Sequence, residues 1–140
     1  MRSISQILSD SKTIAIVGLS NKPDRASHEV AAYLQDAGYR IVPVNPSYAG
    51  DTILGETVYG SLQEAADALA AGGQPIDIVD CFRKSEDIPP IARDAIAVRA
   101  GCLWMQLDIE NQAAADLARA AGLDVVQDHC IKIEHRSLKD

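Results

Sequence analysis

The residues between Gly18 and His28 have types and spacing that can do chemistry. Gly18 leaves an apolar run, small Ser20 and Asn21 follow, and Lys22, Arg25, Ser27 and His28 come before an amphipathic stretch begins. A helix starting here presents unpartnered N–H groups, and the positive end of its dipole, to the loop before it. That makes it a natural site for an anion. Two cations within four residues of each other strengthen the field, and phosphate or diphosphate is the anion such a loop suits. The same residues also fit a solvated turn in which Ser27 is a plain helix cap. His28 fits either arrangement.

The loop lacks the marks of the commoner phosphate sites. The dinucleotide fingerprint G-x-G-x-x-G needs further glycines, and the distance from Gly18 to the helix exceeds it. The acidic residue that grips a ribose at the end of the second strand is replaced by Asn45-Pro46. No Walker-type G-x-x-x-x-G-K-[ST] loop is present. These absences count against an NAD(P)-dependent enzyme, which stands as the alternative reading, and against transfer of a γ-phosphate.

Other reactive residues do not assemble into a site. His129 and Cys130 are chain neighbours, whereas a Cys–His pair is normally built from distant positions. A reversible disulfide between Cys130 and a thiol ligand suits the residue better than catalysis does. Asp77 and Asp80 have opposite pleat parity within one apolar run, which disfavours a carboxylate pair. Asp80 is expected to hydrogen-bond a nearby loop. The three histidines and three cysteines show no metal-ligand spacing. No catalytic residue and no metal ligand is assigned.

Those residues need a scaffold, and the composition provides for one. The chain has 140 residues, 47% of them hydrophobic and only 4% aromatic, so one domain over residues 1–140 with an aliphatic core is expected. The net charge of -7 repels phosphate backbones and anionic membranes at long range, so neither nucleic acid nor membrane is the expected partner. Cysteine usage without a CxxC pair suits a reducing compartment, and no window approaches the ~20 apolar residues of a membrane span. The expectation is a soluble, cytoplasmic protein.

Short apolar runs alternate with longer amphipathic stretches, the pattern of βαβ units around a parallel sheet. Strands are expected over residues 13–17, 40–44, 76–82, 102–107 and 123–126, with a short one near 57–59. Helices are expected over 2–10, from about Ser27 to Gly38, from the capping box Ser61-Leu-Gln-Glu64 to Gly72, and from Ser85 to Gly101. A further helix is expected after a cap at Asp108, with Ala113, Leu117 and Ala121 on its inner face, and then a polar tail. Pro89 and Pro90 fit only in the first turn of their helix. The fold class is therefore α/β: a single Rossmann-like doubly wound domain with a mostly parallel five- or six-stranded sheet. Ligands of such sheets bind beyond the carboxyl ends of the strands, which selects the loops after Val17, Val44, Phe82 and Leu107.

Six blocks of sequence, taken in order, resemble the stand-alone CoA-binding protein family, itself similar to the nucleotide-binding domain of the succinyl-CoA synthetase α subunit. They are Val17-Gly-Leu-Ser-Asn-Lys-Pro-Asp-Arg-Ala-Ser27, Val44-Asn-Pro46, Ile53-Leu-Gly-Glu56, Asp77-Ile-Val-Asp-Cys-Phe-Arg83, Trp104-Met-Gln-Leu107 and Cys130-Ile-Lys-Ile-Glu-His135. The resemblance implies a Rossmann-like fold that binds coenzyme A or an acyl-CoA at the C-terminal edge of the sheet, as a module with no assigned reaction.

Carried over to this chain, the resemblance implies that Gly18, Leu19 and Ser20 receive the diphosphate while Lys22 and Arg25 supply charge. Ser27 would cap the helix and donate to phosphate. Asn45 and Pro46 would lie against the adenosine, and Phe82 and Arg83 would line the other wall. Arg40 opens its strand at the opposite edge and is not expected to take part. A ligase activity would need a partner chain, and protein partners, including a second copy of this chain, are left open.

Overall fold

The structure is a computed structural model, and it describes residues 1–138. Five parallel strands form the sheet: β1 (Thr13–Val17), β2 (Arg40–Val44), β5 (Ile78–Cys81), β6 (Cys102–Met105) and β7 (Asp124–Val126). Their order is β2-β1-β5-β6-β7. From β1 the chain first winds outward to β2, then returns to β5 on the other side and winds away through β6 and β7. The strand order therefore reverses between β1 and β5. A separate antiparallel hairpin pairs β3 (Thr52–Ile53) with β4 (Glu56–Thr57), turning through Leu54 and Gly55, both at positive φ.

The central strands are apolar because both faces of the sheet are covered. One face carries α1 (Ile4–Asp10), α2 (Ala26–Asp36) and α6 (Ile131–Leu138). Their buried residues, among them Leu8, Leu34 and Ile131, pack with Ile16, Ile78 and Trp104 of the strands. The other face carries α3 (Leu62–Ala70), α4 (Ile88–Ala97) and α5 (Gln112–Ala120). There Leu69, Ala92 and Ala118 pack with Val42, Val79 and Leu103. With so few aromatics, small residues let the helices approach closely. Trp104 is wholly buried, and its indole N–H donates to the His129 carbonyl at 2.8 Å.

Several local expectations are corrected. Asp108 does not cap α5; it stands in a turn at φ 69°, and Asn111 is the cap, its side chain accepting from Ala114 N at 2.9 Å. The inner face of α5 is Ala114, Ala115 and Ala118, whereas Ala113, Leu117 and Ala121 are exposed. The shifted start rotates the face. Ser85 does not cap α4 either. It opens a 3-10 turn, Ser85–Asp87, and ties the loop after β5 to the loop after β6: its hydroxyl accepts from Glu110 N, and its carbonyl accepts from the Asn111 amide. Pro89 and Pro90 do lie in the first turn of α4. The polar tail folds as α6, held by wholly buried Ile131, whose N–H donates to the buried Gln106 side chain at 3.1 Å.

The two aspartates near β5 behave differently. Asp77 lies just before the strand and accepts from Lys12 N and Thr13 N at 2.8 and 2.9 Å, clamping the start of β1. Asp80 pairs in register with Ile16 and Trp104 and is fully buried, and its carboxyl makes no hydrogen bond to a loop or to any other group among the described residues. The expected loop contact is absent because Asp80 points into an apolar layer. Burial pushes its carboxyl well above the usual carboxylate range, and pushes the Cys81 thiol up as well.

A carboxyl whose folded-state pKa is raised holds its proton more tightly in the folded chain. Its contribution to stability is present at low pH and is lost as pH rises from the unfolded value of about 3.9 toward the folded one. Relative to Asp80→Asn, the parent protein should therefore lose melting temperature steadily as pH rises through that window. Parallel pH profiles for the two proteins would contradict this.

One backbone approach sets the geometry of the switch point. Gly18 has φ 91°, and a Cβ placed on it would stand 2.3 Å from the Phe82 carbonyl oxygen. Only glycine lets the end of β1 pass the end of β5 this closely. Gly18→Ala should destabilise the domain by at least about 2 kcal/mol in denaturant titration. An unchanged midpoint would refute the close approach.

Candidate functional site

Strands β1, β2 and β5 end at the same edge of the sheet, and the residues that follow them line one cleft of about 700 Å3. The loop after β1 contributes Gly18, Ser20, Lys22 and Arg25, and the opening turn of α2 adds Ala26 and Ser27. After β2 come Asn45, Ser47 and Tyr48. After β5 come Phe82, Arg83, Lys84 and Asp87, and Ile109 closes the far end.

Asn45 joins the first three of these segments. It is 5% exposed; its amide nitrogen donates to the Leu19 carbonyl at 3.0 Å, and its oxygen accepts from Ser47 N at 3.0 Å and from an Arg83 guanidinium nitrogen at 3.5 Å. A carboxylate here could not donate to Leu19, so the residue that replaces the ribose-binding acid has a structural task of its own.

The loop from Gly18 to α2 is folded by its own polar groups. Gly18 N donates to the Val44 carbonyl at 2.9 Å, Ser20 N to the Ser27 hydroxyl at 3.0 Å, and Lys22 N to the Ser20 hydroxyl at 3.1 Å. The amide of Gly18 is thus engaged by β2 and that of Ser20 by Ser27. The Ser27 hydroxyl, accepting from Ser20, keeps a proton to donate. The N–H groups of Ala26 and Ser27 open the helix, where no intrahelical acceptor exists. Ser27 is not the cap: Arg25 holds that position without a side-chain cap bond, and Ser27 lies inside the helix because its hydroxyl is drawn back to Ser20.

Lys22, Arg25, Arg83 and Lys84 face one cleft whose lining includes a single acidic residue, Asp87. Among the described residues none of these cations takes part in an ion pair. In a chain of net charge -7, these side chains form a local excess of positive charge. Chemically the cleft can hold a polyanion by charge-assisted hydrogen bonds, with Tyr48, Phe82 and Ile109 giving apolar contact.

The structure brings most of the expected residues together. Gly18, Ser20, Lys22, Arg25 and Ser27 meet Asn45, Phe82 and Arg83 around this cleft. Leu19 is wholly buried in the core and contributes its carbonyl to Asn45 rather than a surface. Pro46 lines an adjoining chamber of about 330 Å3, which shares Arg83 and Asp87 with the cleft. Lys84, Ser47, Tyr48, Asp87 and Ile109 were not anticipated. Lys84 follows Arg83 directly, and Ser47-Tyr48 follow Pro46, so adjacency was the available signal.

Other candidates lie elsewhere. His28 does not line the cleft. Arg40 opens β2 at the far edge and donates to Gln74. Cys81 and Cys102 are buried free thiols, and Cys130 is a half-buried free thiol. No described residue of α6 lines the cleft. Among the described residues no group of three or more His, Cys, Asp or Glu side chains could hold a metal ion, and no helix is long and apolar enough to cross a membrane.

Comparison with known proteins agrees with this geometry. YneT, an uncharacterised protein of Bacillus subtilis (strain 168), is 42% identical over 136 residues, spanning 97% of this chain and 94% of that protein. A Thermus thermophilus protein, cell-free ID.343, superposes with TM-score 0.88 at 33% identity, over 98% of this chain and 99% of that one. A hypothetical protein from Pyrococcus horikoshii OT3 superposes with TM-score 0.87 at 34% identity, over 98% and 90% of the two chains. At greater distance the fold recurs in RSP, a Rex-family repressor whose structure holds β-NADH. There the TM-score is 0.59 at 16% identity, over 96% of this chain and 62% of that one, a likeness of fold alone. Residues 12–136 match the family described as CoA binding domain, and the chain belongs to that family.

Proposed function

We propose that the cleft binds coenzyme A or an acyl-CoA, and that the chain acts as a binding module for it. The observation that carries this reading is the convergence of Lys22, Arg25, Arg83 and Lys84, all without ion-pair partners among the described residues, on the opening turn of α2 at the point where strand order reverses. The diphosphate lies against the N–H groups of Ala26 and Ser27 and the Ser27 hydroxyl, with Lys22 and Arg25 beside it. Arg83 and Lys84 come from the opposite wall and suit the 3′-phosphate, a further dianion that a plain dinucleotide lacks. The pantetheine arm runs over Phe82 toward Ile109. Binding of this kind needs no acid–base pair. Family membership supports the choice of ligand.

A nicotinamide dinucleotide would use the same helix start, as the shared fold with NADH-bound RSP suggests. Asn45 disfavours it here. Its side chain is committed to Leu19 and Ser47, and no carboxylate stands at the end of β2 to accept from a ribose.

A ligand that binds only the folded state raises the melting temperature, and more so the tighter it binds at a given concentration. CoA should raise it clearly, dephospho-CoA less, and NAD least at equal concentration. Stabilisation by NAD with none by CoA would overturn the reading. In calorimetric titration, Arg25→Ala and Arg83→Ala should each weaken CoA binding by roughly 1.5–3 kcal/mol while the domain stays folded. Undiminished affinity in both variants would place the phosphates elsewhere.

A further inference from the structure

The far end of the cleft differs in charge from the end at α2. Ile109 closes it, and the loops after β5, β6 and β7 are tied together around that residue. Asp128, in the loop after β7, brackets Ile109: its N–H donates to the Ile109 carbonyl at 3.2 Å, and its carboxylate accepts from Asp108 N at 2.7 Å. On the other side Glu110 N donates to the Ser85 hydroxyl at 3.1 Å, and Asn111 N donates to the Gln127 side chain at 2.9 Å. Ile109 therefore stands between Asp108 and Glu110 in the chain and against Asp128 across the turn. Asp87 lines the cleft from the β5 side and makes no side-chain cap bond to α4. None of these four carboxylates takes part in an ion pair among the described residues.

We propose that the cleft selects CoA thioesters of uncharged acids and turns away those whose acyl group ends in a carboxylate. The inference rests on the CoA reading of the cleft, in which the pantetheine arm runs toward Ile109, and adds to it the class of acyl group. The thioester at the end of that arm reaches the rim where Asp87 and Asp128 stand with Asp108 and Glu110. An alkyl chain is neutral and meets no opposing charge there. Ile109, and Leu107 exposed two residues before it, are apolar neighbours for such a chain. A terminal carboxylate meets like charge instead. It also finds no free cation to answer it. Lys22, Arg25, Arg83 and Lys84 are engaged by the ligand's phosphates in this reading. His129, next to Asp128, already faces Glu134 at 3.6 Å, and Lys132 lies over the Tyr33 ring. The two ends of the cleft thus sort one ligand, with a polyanionic head at α2 and a neutral tail at Ile109.

The test titrates the full chain with propionyl-CoA and malonyl-CoA by calorimetry at low ionic strength. Their acyl groups have the same number of carbons and differ in a terminal methyl against a carboxylate. The parent protein should bind propionyl-CoA about fivefold more tightly, and the preference should shrink as salt is added. Asp87→Asn combined with Asp128→Asn removes two charges with little change of shape. Asparagine keeps an oxygen for the Asp108 N–H and tolerates the positive φ at position 128. In that double variant malonyl-CoA should bind several-fold more tightly than it does to the parent, while propionyl-CoA moves less. Asp87→Asn alone changes an exposed position, leaves the bracket around Ile109 untouched, and should close part of the gap. Equal affinity of the parent for the two thioesters, tighter binding of malonyl-CoA, or an unchanged preference in both variants would overturn this inference and leave the CoA reading standing. Failure of both thioesters and of CoA itself to bind would overturn the CoA reading and this inference with it.

Discussion

The architecture of the site depends on how closely two chain segments pass at the switch point. Gly18 leaves β1 in a left-handed conformation, against the carbonyl of Phe82 as that residue leaves β5. Any side chain there would push the segments apart. Because they meet, the cations of the first loop and those following β5 face one another across a narrow cleft instead of standing on separate loops. Asn45 completes the arrangement by bonding to both neighbours of that contact, the Leu19 carbonyl and the Arg83 guanidinium. Parallel strands can bring these segments together because β1 is flanked by β2 on one side and β5 on the other.

Electrostatics then divides the surface by function. The chain as a whole carries a net charge of -7, which repels polyanions at long range. The cleft reverses that sign locally, so a small polyanion is attracted only where it can be held. The adjoining chamber carries Asp87 and Asp94 beside Arg83, so its lining differs from that of the cleft. Beneath them Asp80 lies within an apolar layer, where its carboxyl is favoured in the neutral form.

Much of this was legible in the residues. Fully apolar runs such as Thr13-Ile-Ala-Ile-Val17 require a strand covered on both faces, and the alternation with amphipathic stretches requires helices between parallel strands. The clustering of Lys22 and Arg25 before a helix start was legible as a local excess of positive charge, and the structure keeps both on one cleft. Features set by tertiary contact were not legible. Ser27 looks like a cap until Ser20 claims its hydroxyl. Asp108 looks like a cap until the turn beyond β6 uses a left-handed residue and hands capping to Asn111. The charged tail gives little signal because tertiary contacts anchor it: Ile131 is wholly buried and donates its N–H to Gln106, and the His135 ring meets the Tyr33 hydroxyl at 2.9 Å. Lys84 and Asp87 carry no spacing signal, and only the path of the chain after Arg83 brings them to the cleft.

The most direct test of the account is a crystal structure of the protein with coenzyme A. The account predicts diphosphate density against the amides of Ala26 and Ser27, with the guanidinium groups of Arg25 and Arg83 on opposite sides of the ligand's phosphates. A cleft empty at saturating ligand, or coenzyme A bound away from the end of β1, would contradict it.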